Sequence, residues 1–333
     1  MTEAGTPETG RIVASGFRPA AGLANRHVQS LLGGIPATRR PRVSRERWEL
    51  ADGDFVDLDW LATRGRRWAL VLPGLTGSLA SAYALRLLRH LADTGFRAAL
   101  LNYRGLSGMP NRLATGYHAG FTRDVDAVTR RLAARHGPGV VAGYSMGGNL
   151  LLKWLGEAGS DVPVLSAAAV SVPFDLAAAA YNLRAGPARP YDRYLRVGLR
   201  RYVRRKFRRP AASPVALPDL RTLASIEEFD DRITAPLHGF ADAADYYARS
   251  SSRRWLRHIR VPTLIVNALD DPLVPRATLP SEDELSPCVT LAVSGHGGHV
   301  GFLGRGARGL PRFWLEPYLL QHLAAEPAPG QAA

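Results

Sequence analysis

The 333-residue chain carries 43 Lys and Arg against 29 Asp and Glu, a formal net charge of +14, with 46% hydrophobic residues and a lone cysteine, Cys288. That length can bury a large core, and a lone thiol excludes an internal disulfide framework. The longest apolar run, Val164 to Val172, is too short to span a bilayer. Residues 1–10 are polar and lack the basic start and apolar centre of a signal peptide, so the expected compartment is the cytoplasm.

Lysine occurs only at Lys153 and Lys206, so nearly all the positive charge is arginine. Such a balance suits an acidic ligand, an anionic membrane surface or a nucleic acid. No nucleic-acid-binding motif is present, so a nucleic acid is not expected as a partner.

Residues 1–16 read as a flexible N-terminus. From Phe17 to Leu32 runs a Pro- and Gly-containing opening segment that holds Asn25-Arg26-His27-Val28-Gln29-Ser30. Trp48-Glu49-Leu50 and Phe55 to Trp60 alternate apolar and polar residues around Asp52-Gly53, a hairpin signal. Trp68 to Leu72 is a buried strand that runs into Pro73-Gly74-Leu75-Thr76-Gly77-Ser78. A helix follows from about Ala80 to Asp93, then a strand from Ala98 to Asn102, a Gly/Pro/Asn-rich loop, and a helix from Thr122 that stops before His136-Gly137-Pro138.

The next stretch, Val140-Val141-Ala142-Gly143-Tyr144-Ser145-Met146-Gly147-Gly148-Asn149, is the one on which the chain turns. β-Branched and small residues end in Gly-x-Ser-x-Gly, and an apolar helical pattern (Leu150, Leu151, Trp154, Leu155) follows at once. Strand, sharp turn, helix is the context of a nucleophile elbow, in which the serine sits in strained backbone and its neighbours must be almost free of side chain. Gly is about a tenth of the chain, so the pentapeptide alone is weak evidence; its flanks carry the argument.

Val164 to Val172, Ile259 to Ala268 and Val289 to Val293 supply three later strands. Strands alternating with helices predict an α/β fold with a mostly parallel sheet and crossover helices. Between about 174 and 257 the rhythm stops, which predicts a helical cap insertion within a domain spanning 17–323. Within it, Tyr191 to Phe207 places Tyr191, Tyr194, Leu195, Leu199, Tyr202, Val203 and Phe207 on one helical stripe and arginines over most of the rest. That face is either solvated or a site of peripheral contact with an anionic membrane surface. Residues 324–333 read as a flexible tail.

A serine hydroxyl needs a base to take its proton, and the base needs an acid to fix its tautomer. The strand ending at Asn267 runs into Ala268-Leu269-Asp270-Asp271-Pro272, and the strand ending at Val293 runs into Ser294-Gly295-His296-Gly297-Gly298-His299. Each candidate lies beyond the carboxyl end of a strand, in the order Ser, Asp, His. Asp271, directly before proline, is favoured over Asp270, and His299 over His296. Two backbone N–H groups are expected to hold the oxyanion, those of Met146 and Leu75. No cofactor and no metal are called for.

Taken together, Asn25-x-His27-x-Gln29, Gly74-Leu75-Thr76-Gly77-Ser78, Asn102-Tyr103-Arg104-Gly105, Tyr117-His118-Ala119-Gly120, the Gly143–Asn149 elbow, Asp270-Asp271-Pro272 and Gly297-Gly298-His299-Val300-Gly301-Phe302 resemble the YheT-like branch of the α/β-hydrolases, which is related to eukaryotic lipases and esterases. The chain departs from that pattern with Pro73 for a histidine and Ser30 for a threonine. The resemblance implies a serine hydrolase of carboxylic esters, with a small or lipid-like acyl ester as substrate. Acyl transfer on the same residues and a non-catalytic scaffold are the competing readings. Arg104, Asn111, Tyr117 and His118 either shape the pocket or bond within their own loop.

Overall fold

A computed structural model describes residues 9–35, 41–63, 65–209 and 212–325. Its frame is a nine-stranded sheet in the order β1-β9-β8-β7-β6-β4-β5-β3-β2. The strands are β1 Arg11–Ala14, β2 Val43–Glu49, β3 Phe55–Leu61, β4 Arg67–Leu72, β5 Phe96–Asn102, β6 Gly139–Tyr144, β7 Val164–Val170, β8 Thr263–Ala268 and β9 Val289–Ser294. β2 and β3 form an antiparallel hairpin whose loop is closed by Leu50 N–H to Asp54 O, and β3 runs antiparallel to β5. Every other pairing in the sheet is parallel.

Alternation along each strand divides the apolar residues between two faces. In β4, Trp68, Leu70 and Leu72 face one layer, which includes helices α3 (Thr122–His136) and α4 (Met146–Ala158). Ala69 and Val71 face the other, built from α2 (Ala82–Asp93) and α10 (Leu315–Leu323). α1 (Arg26–Gly33) lies outside both, opened by the Asn25 side chain accepting from the His27 and Val28 N–H groups.

Helices occupy the expected cap. α5 (Leu176–Leu183) and α6 (Arg189–Lys206) are followed by α7 (Ile226–Phe229), which passes through a π turn into α8 (Ala235–His238), and then by α9 (Ala243–Ser250). A 3-10 stretch, Arg253–His258, leads back to β8, so the strand expected from Ile259 begins only at Thr263. α6 buries Leu199, Tyr202, Val203 and Phe207. No helix among the described residues is long and apolar enough to cross a membrane.

The expectation of a flexible segment from residue 1 to 16 needs correction where the chain is described. Arg11–Ala14 pairs in parallel with Thr290–Val293, and Phe17 packs edge-on to Phe302 and Trp314 at 5.3 and 5.4 Å. The reason is that β9 would otherwise end the sheet with a row of unpaired backbone groups. Residues 1–8, and 326–333 of the expected tail, lie outside the described residues. A short hairpin, β10 (Leu303–Arg305) with β11 (Pro311–Phe313), follows the loop after β9 that holds His296 and His299.

Candidate functional site

The elbow between β6 and α4 holds Ser145 at φ 51° and ψ −120°, a backbone state that costs a side-chain-bearing residue about 1–3 kcal/mol. The Ser145 N–H donates to Val170 O at 2.8 Å, and the Asn149 N–H donates to Ser145 O at 3.0 Å. The flanking glycines are needed for close approach. A Cβ on Gly143 would lie 2.4 Å from Gly147 O, and one on Gly147 would lie 2.4 Å from both Leu72 O and Pro73 O. Asn149, fully buried, ties the elbow helix to its surroundings by donating to Ala119 O and Ser250 O and accepting from the Ser252 N–H.

Ser145, His299 and Asp271 stand in one chain of hydrogen bonds. Ser145 Oγ lies 3.0 Å from His299 Nε2, and His299 Nδ1 lies 2.8 Å from Asp271 Oδ2. The Asp271 side chain is fully buried and that of His299 is 13% exposed. Asp271 Oδ1 also accepts from the Leu273 and Val274 N–H groups at 2.8 and 3.2 Å, which fixes the carboxylate's orientation. With a carboxylate beside it, Nδ1 carries the ring proton, so Nε2 is left to accept from the serine.

The two alternatives face one another instead. Asp270 Oδ1 accepts from the Gly298 N–H at 3.0 Å, and its Oδ2 lies 3.5 Å from His296 Nδ1. Neither side chain bonds to Ser145 or to the His299 ring.

Sequence reasoning assigned no role to α1, yet α1 holds the His299 loop. Ser30 Oγ accepts the His299 N–H at 2.8 Å while donating to Arg26 O. Buried Gln29 accepts the Leu303 N–H and donates to Leu303 O. From the other side, Ser171 Oγ accepts the Val300 N–H at 3.0 Å. Ser171 itself sits at φ 51°, which ends β7 two residues before the expected Val172. The only advance sign was the Asn25-x-His27-x-Gln29 spacing.

The turn after β4 lies against the serine: a Cβ on Gly74 would be 3.4 Å from Ser145 Cβ. Among the described residues the Leu75 N–H has no hydrogen-bond partner. Met146 opens α4, so its N–H is one of the first-turn donors that a helix leaves free. α6 lies over this turn, with Gly198 pressed against the Thr76 side chain and the Tyr191 hydroxyl 3.0 Å from His27 Nδ1 on α1.

Arg104 is held bidentately by Asp124 and also reaches Asp52 and Asp54. Asn111 donates to Asp54 and to the carbonyls of Leu113 and Thr115. These bonds tie the 103–120 loop to the β2–β3 hairpin and to α3, and Lys206 of α6 donates to Asn111 Oδ1. His118 accepts the Gly120 N–H and packs against His238, and burial holds its pKa well below the usual range. Among the described residues no three His, Cys, Asp or Glu side chains are grouped as metal ligands are. A recess of about 680 Å³ on the outside of the cap is lined by Arg184, Asp192, Arg196 and Glu227 and does not include the Ser145 site.

Residues 69–305 match the family described as the alpha/beta hydrolase fold. The chain is 40% identical over 311 residues to the Escherichia coli (strain K12) protein named "Putative esterase YheT", covering 90% of each. It is 33% identical over 285 residues to "Phospholipase ABHD3" of Mus musculus, covering 80% of this chain and 68% of that one. Among solved structures, the Pyrococcus furiosus esterase Pf2001 superposes with a TM-score of 0.53 at 14% identity, over 87% of this chain and 98% of that one, a likeness of fold alone.

Proposed function

The chain belongs to the YheT-like branch of the α/β-hydrolase family, a family of esterase and lipase type, and from that premise we propose that it hydrolyses carboxylic esters through an acyl-enzyme formed on Ser145. The observation that carries this reading is the unbroken relay from Ser145 Oγ to His299 Nε2 and from His299 Nδ1 to Asp271. In the first half-reaction His299 takes the hydroxyl proton as Ser145 Oγ attacks the ester carbonyl. The Leu75 and Met146 N–H groups hold the resulting oxyanion. Collapse breaks the ester C–O bond, and His299 returns its proton to the departing alkoxide, releasing an alcohol. Water then gives a proton to His299 and attacks the acyl-serine; the acyl C–Oγ bond breaks, His299 returns the proton to Ser145 Oγ, and a carboxylic acid leaves. Asp271, accepting at Oδ2 from the His299 Nδ1–H, orients the ring and steadies the imidazolium.

The test is Ser145→Ala with p-nitrophenyl esters of graded acyl length, beside labelling by a fluorophosphonate probe. The expected loss is about 10⁴-fold or more in kcat with an unchanged thermal midpoint, and the wild-type label maps to the Ser145 peptide. Retention of a tenth of the activity refutes the assignment. The chain-length series identifies the acyl group that the site prefers, and the phospholipase name of one relative points to lipid-like esters.

The outer face of α6 extends the reading to a partner. Arg193, Arg201 and Arg204 on α6, and Arg208 and Arg209 just past its end, are exposed and make no ion pair among the described residues, and Tyr194 is 75% exposed. Since α6 packs through Gly198 on the turn beside Ser145, an anionic lipid surface docked on its outer face lies one helix away from the serine. Arg196 and Arg200 are excluded from this face because both donate to Leu223 O. Co-sedimentation with anionic vesicles is expected to fall with Arg201→Glu/Arg204→Glu/Arg208→Glu and with added salt, as screening over about 8 Å at physiological ionic strength requires. Equal binding to neutral vesicles, or no loss on charge reversal, overturns it.

A further inference from the structure

The turn Pro73–Gly77 is an unusual place for precision. The Gly77 N–H closes it onto Gly74 O at 2.9 Å, and Thr76, a β-branched residue, occupies the third position at φ 58°. A type II-like turn wants glycine or asparagine there, so a threonine holds the turn under strain. Left alone, such a loop would relax and carry the Leu75 N–H with it.

Three tyrosine hydroxyls converge on this short stretch. Tyr83, from α2, accepts the Gly74 N–H at 3.1 Å. Tyr117, from the loop after β5, accepts the Thr76 N–H at 3.2 Å. Tyr103, from the start of that loop, donates to Pro73 O at 3.0 Å. The N–H groups on either side of Leu75 are thus both occupied, and the Leu75 N–H between them is left unpartnered among the described residues. The phenols are themselves fixed. Tyr103 and Tyr117 stack with ring centroids 5.4 Å apart, Tyr117 meets Tyr202 of α6 edge-on at 5.3 Å, and Tyr83 packs on Tyr144 at 4.7 Å. Burial raises the pKa of all three, so each hydroxyl keeps its proton across the working range.

We infer that Tyr83, Tyr103 and Tyr117 are positioning residues for the oxyanion, holding a strained turn so that the Leu75 N–H is the donor it presents beside Ser145. The inference rests on the acyl-enzyme reading above. The tyrosines touch no reacting atom; they act through the backbone of residues 73–76. Tyr103 and Tyr117 lie in stretches that carry the resemblance and Tyr83 does not, but the reach of Tyr83 to Gly74, 9 residues away, and of Tyr117 to Thr76, 41 residues away, comes only from the fold.

The experiment compares Tyr83→Phe and Tyr117→Phe, whose hydroxyls accept the N–H groups on either side of Leu75, with wild type, using p-nitrophenyl butyrate turnover. A trifluoromethyl ketone, which forms a tetrahedral adduct on the serine, is compared as an inhibitor with the plain carboxylate product. Tyr247→Phe is the control: its hydroxyl is also buried, but it donates to Asp230 in the cap. Expected for Tyr83→Phe and Tyr117→Phe is a fall in kcat of about 10- to 100-fold with KM within about threefold, and an equal loss of ketone affinity with product affinity unchanged. The control keeps wild-type kcat. The inference is overturned if both variants keep kcat within about twofold, or if ketone and product affinity fall together, which marks a merely structural role. Should Tyr117→Phe fail to fold, Tyr83→Phe on the opposite side of the turn decides. Failure of the underlying reading looks different: Ser145→Ala stays active and the probe does not label the wild type.

Discussion

Replacing Asp271 by Asn changes one atom, and the hydrogen bonds around it predict the consequence. Asp271 Oδ1 accepts from the Leu273 and Val274 N–H groups, and these two bonds orient any amide put in its place. The asparagine oxygen takes the Oδ1 position, 3.1 Å from His299 Nδ1, and its NH₂ takes the place of Oδ2, the nearer partner at 2.8 Å. The imidazole must then accept at Nδ1 and carry its proton on Nε2, which turns a donor toward Ser145 Oγ. A base in that tautomer cannot take the hydroxyl proton. The expected loss in kcat is about 10⁴-fold, equivalent to about 5 kcal/mol of barrier, with stability changed by less than about 1 kcal/mol because both backbone bonds survive. Asp270→Asn keeps its acceptor toward the Gly298 N–H and has no bond to the His299 ring, so its cost should stay below about tenfold. Steady-state hydrolysis of a p-nitrophenyl ester, with urea unfolding as the fold control, checks both. Equal losses from the two variants, or the reverse order, refute this account of the relay.

Gly147→Ala should destabilise the protein by about 3 kcal/mol or more, because the added methyl would meet two backbone carbonyls at 2.4 Å and neither can move without shifting β4. An unchanged thermal midpoint counts against that close approach. Asp230, in the π turn of the cap, is pushed up to about 7 by burial, although Thr234 and Tyr247 donate to it. The native carboxyl therefore keeps a proton that the unfolded chain has already released, so stability is full below about pH 4 and falls as pH rises toward about 7. Between about pH 5 and about pH 8 this group should cost about 3 kcal/mol, and Asp230→Asn should remove that component of the pH dependence in urea unfolding. A pH-independent difference between the two proteins shows that Asp230 does not titrate in this range.

What could be read in advance follows from how local each signal is. The elbow is written in adjacent residues, because the strain at Ser145 demands glycines beside it. The order Ser145, Asp271, His299 survives in one dimension since each ends a parallel strand. The preference for Asp271 rested on the proline after it, and the hydrogen bonds to Leu273 and Val274 give that turn its physical form. β1 was missed because Arg-Ile-Val-Ala is short and its partner Thr290 lies 279 residues on from Arg11. In the sequence Gln29 stands only within the Asn25-x-His27-x-Gln29 spacing and Ser30 only as a serine where a threonine is usual, since their bonds to Leu303 and His299 span more than 260 residues. The arginine stripe of α6 looked uniform, yet Arg196 and Arg200 turn inward to a carbonyl while Arg201 and Arg204 do not. Helical periodicity cannot separate these when neighbouring segments supply the acceptor.

The parallel pairing of β1 with β9 also sets an order of events during synthesis. A chain emerging N-terminal end first presents Arg11–Ala14 long before Thr290 exists, and the strand must wait unpaired while the rest of the sheet assembles. β9 is also the strand that leads into His299, so the closing of the sheet's edge and the delivery of the base to Ser145 fall in the same late step. A nascent chain can thus hold the elbow, α4 and the whole cap and still be inert. Onset of ester turnover in a timed translation reaction would mark the arrival of β9 and His299, and chains halted before residue 289 would fold much of the sheet while remaining silent.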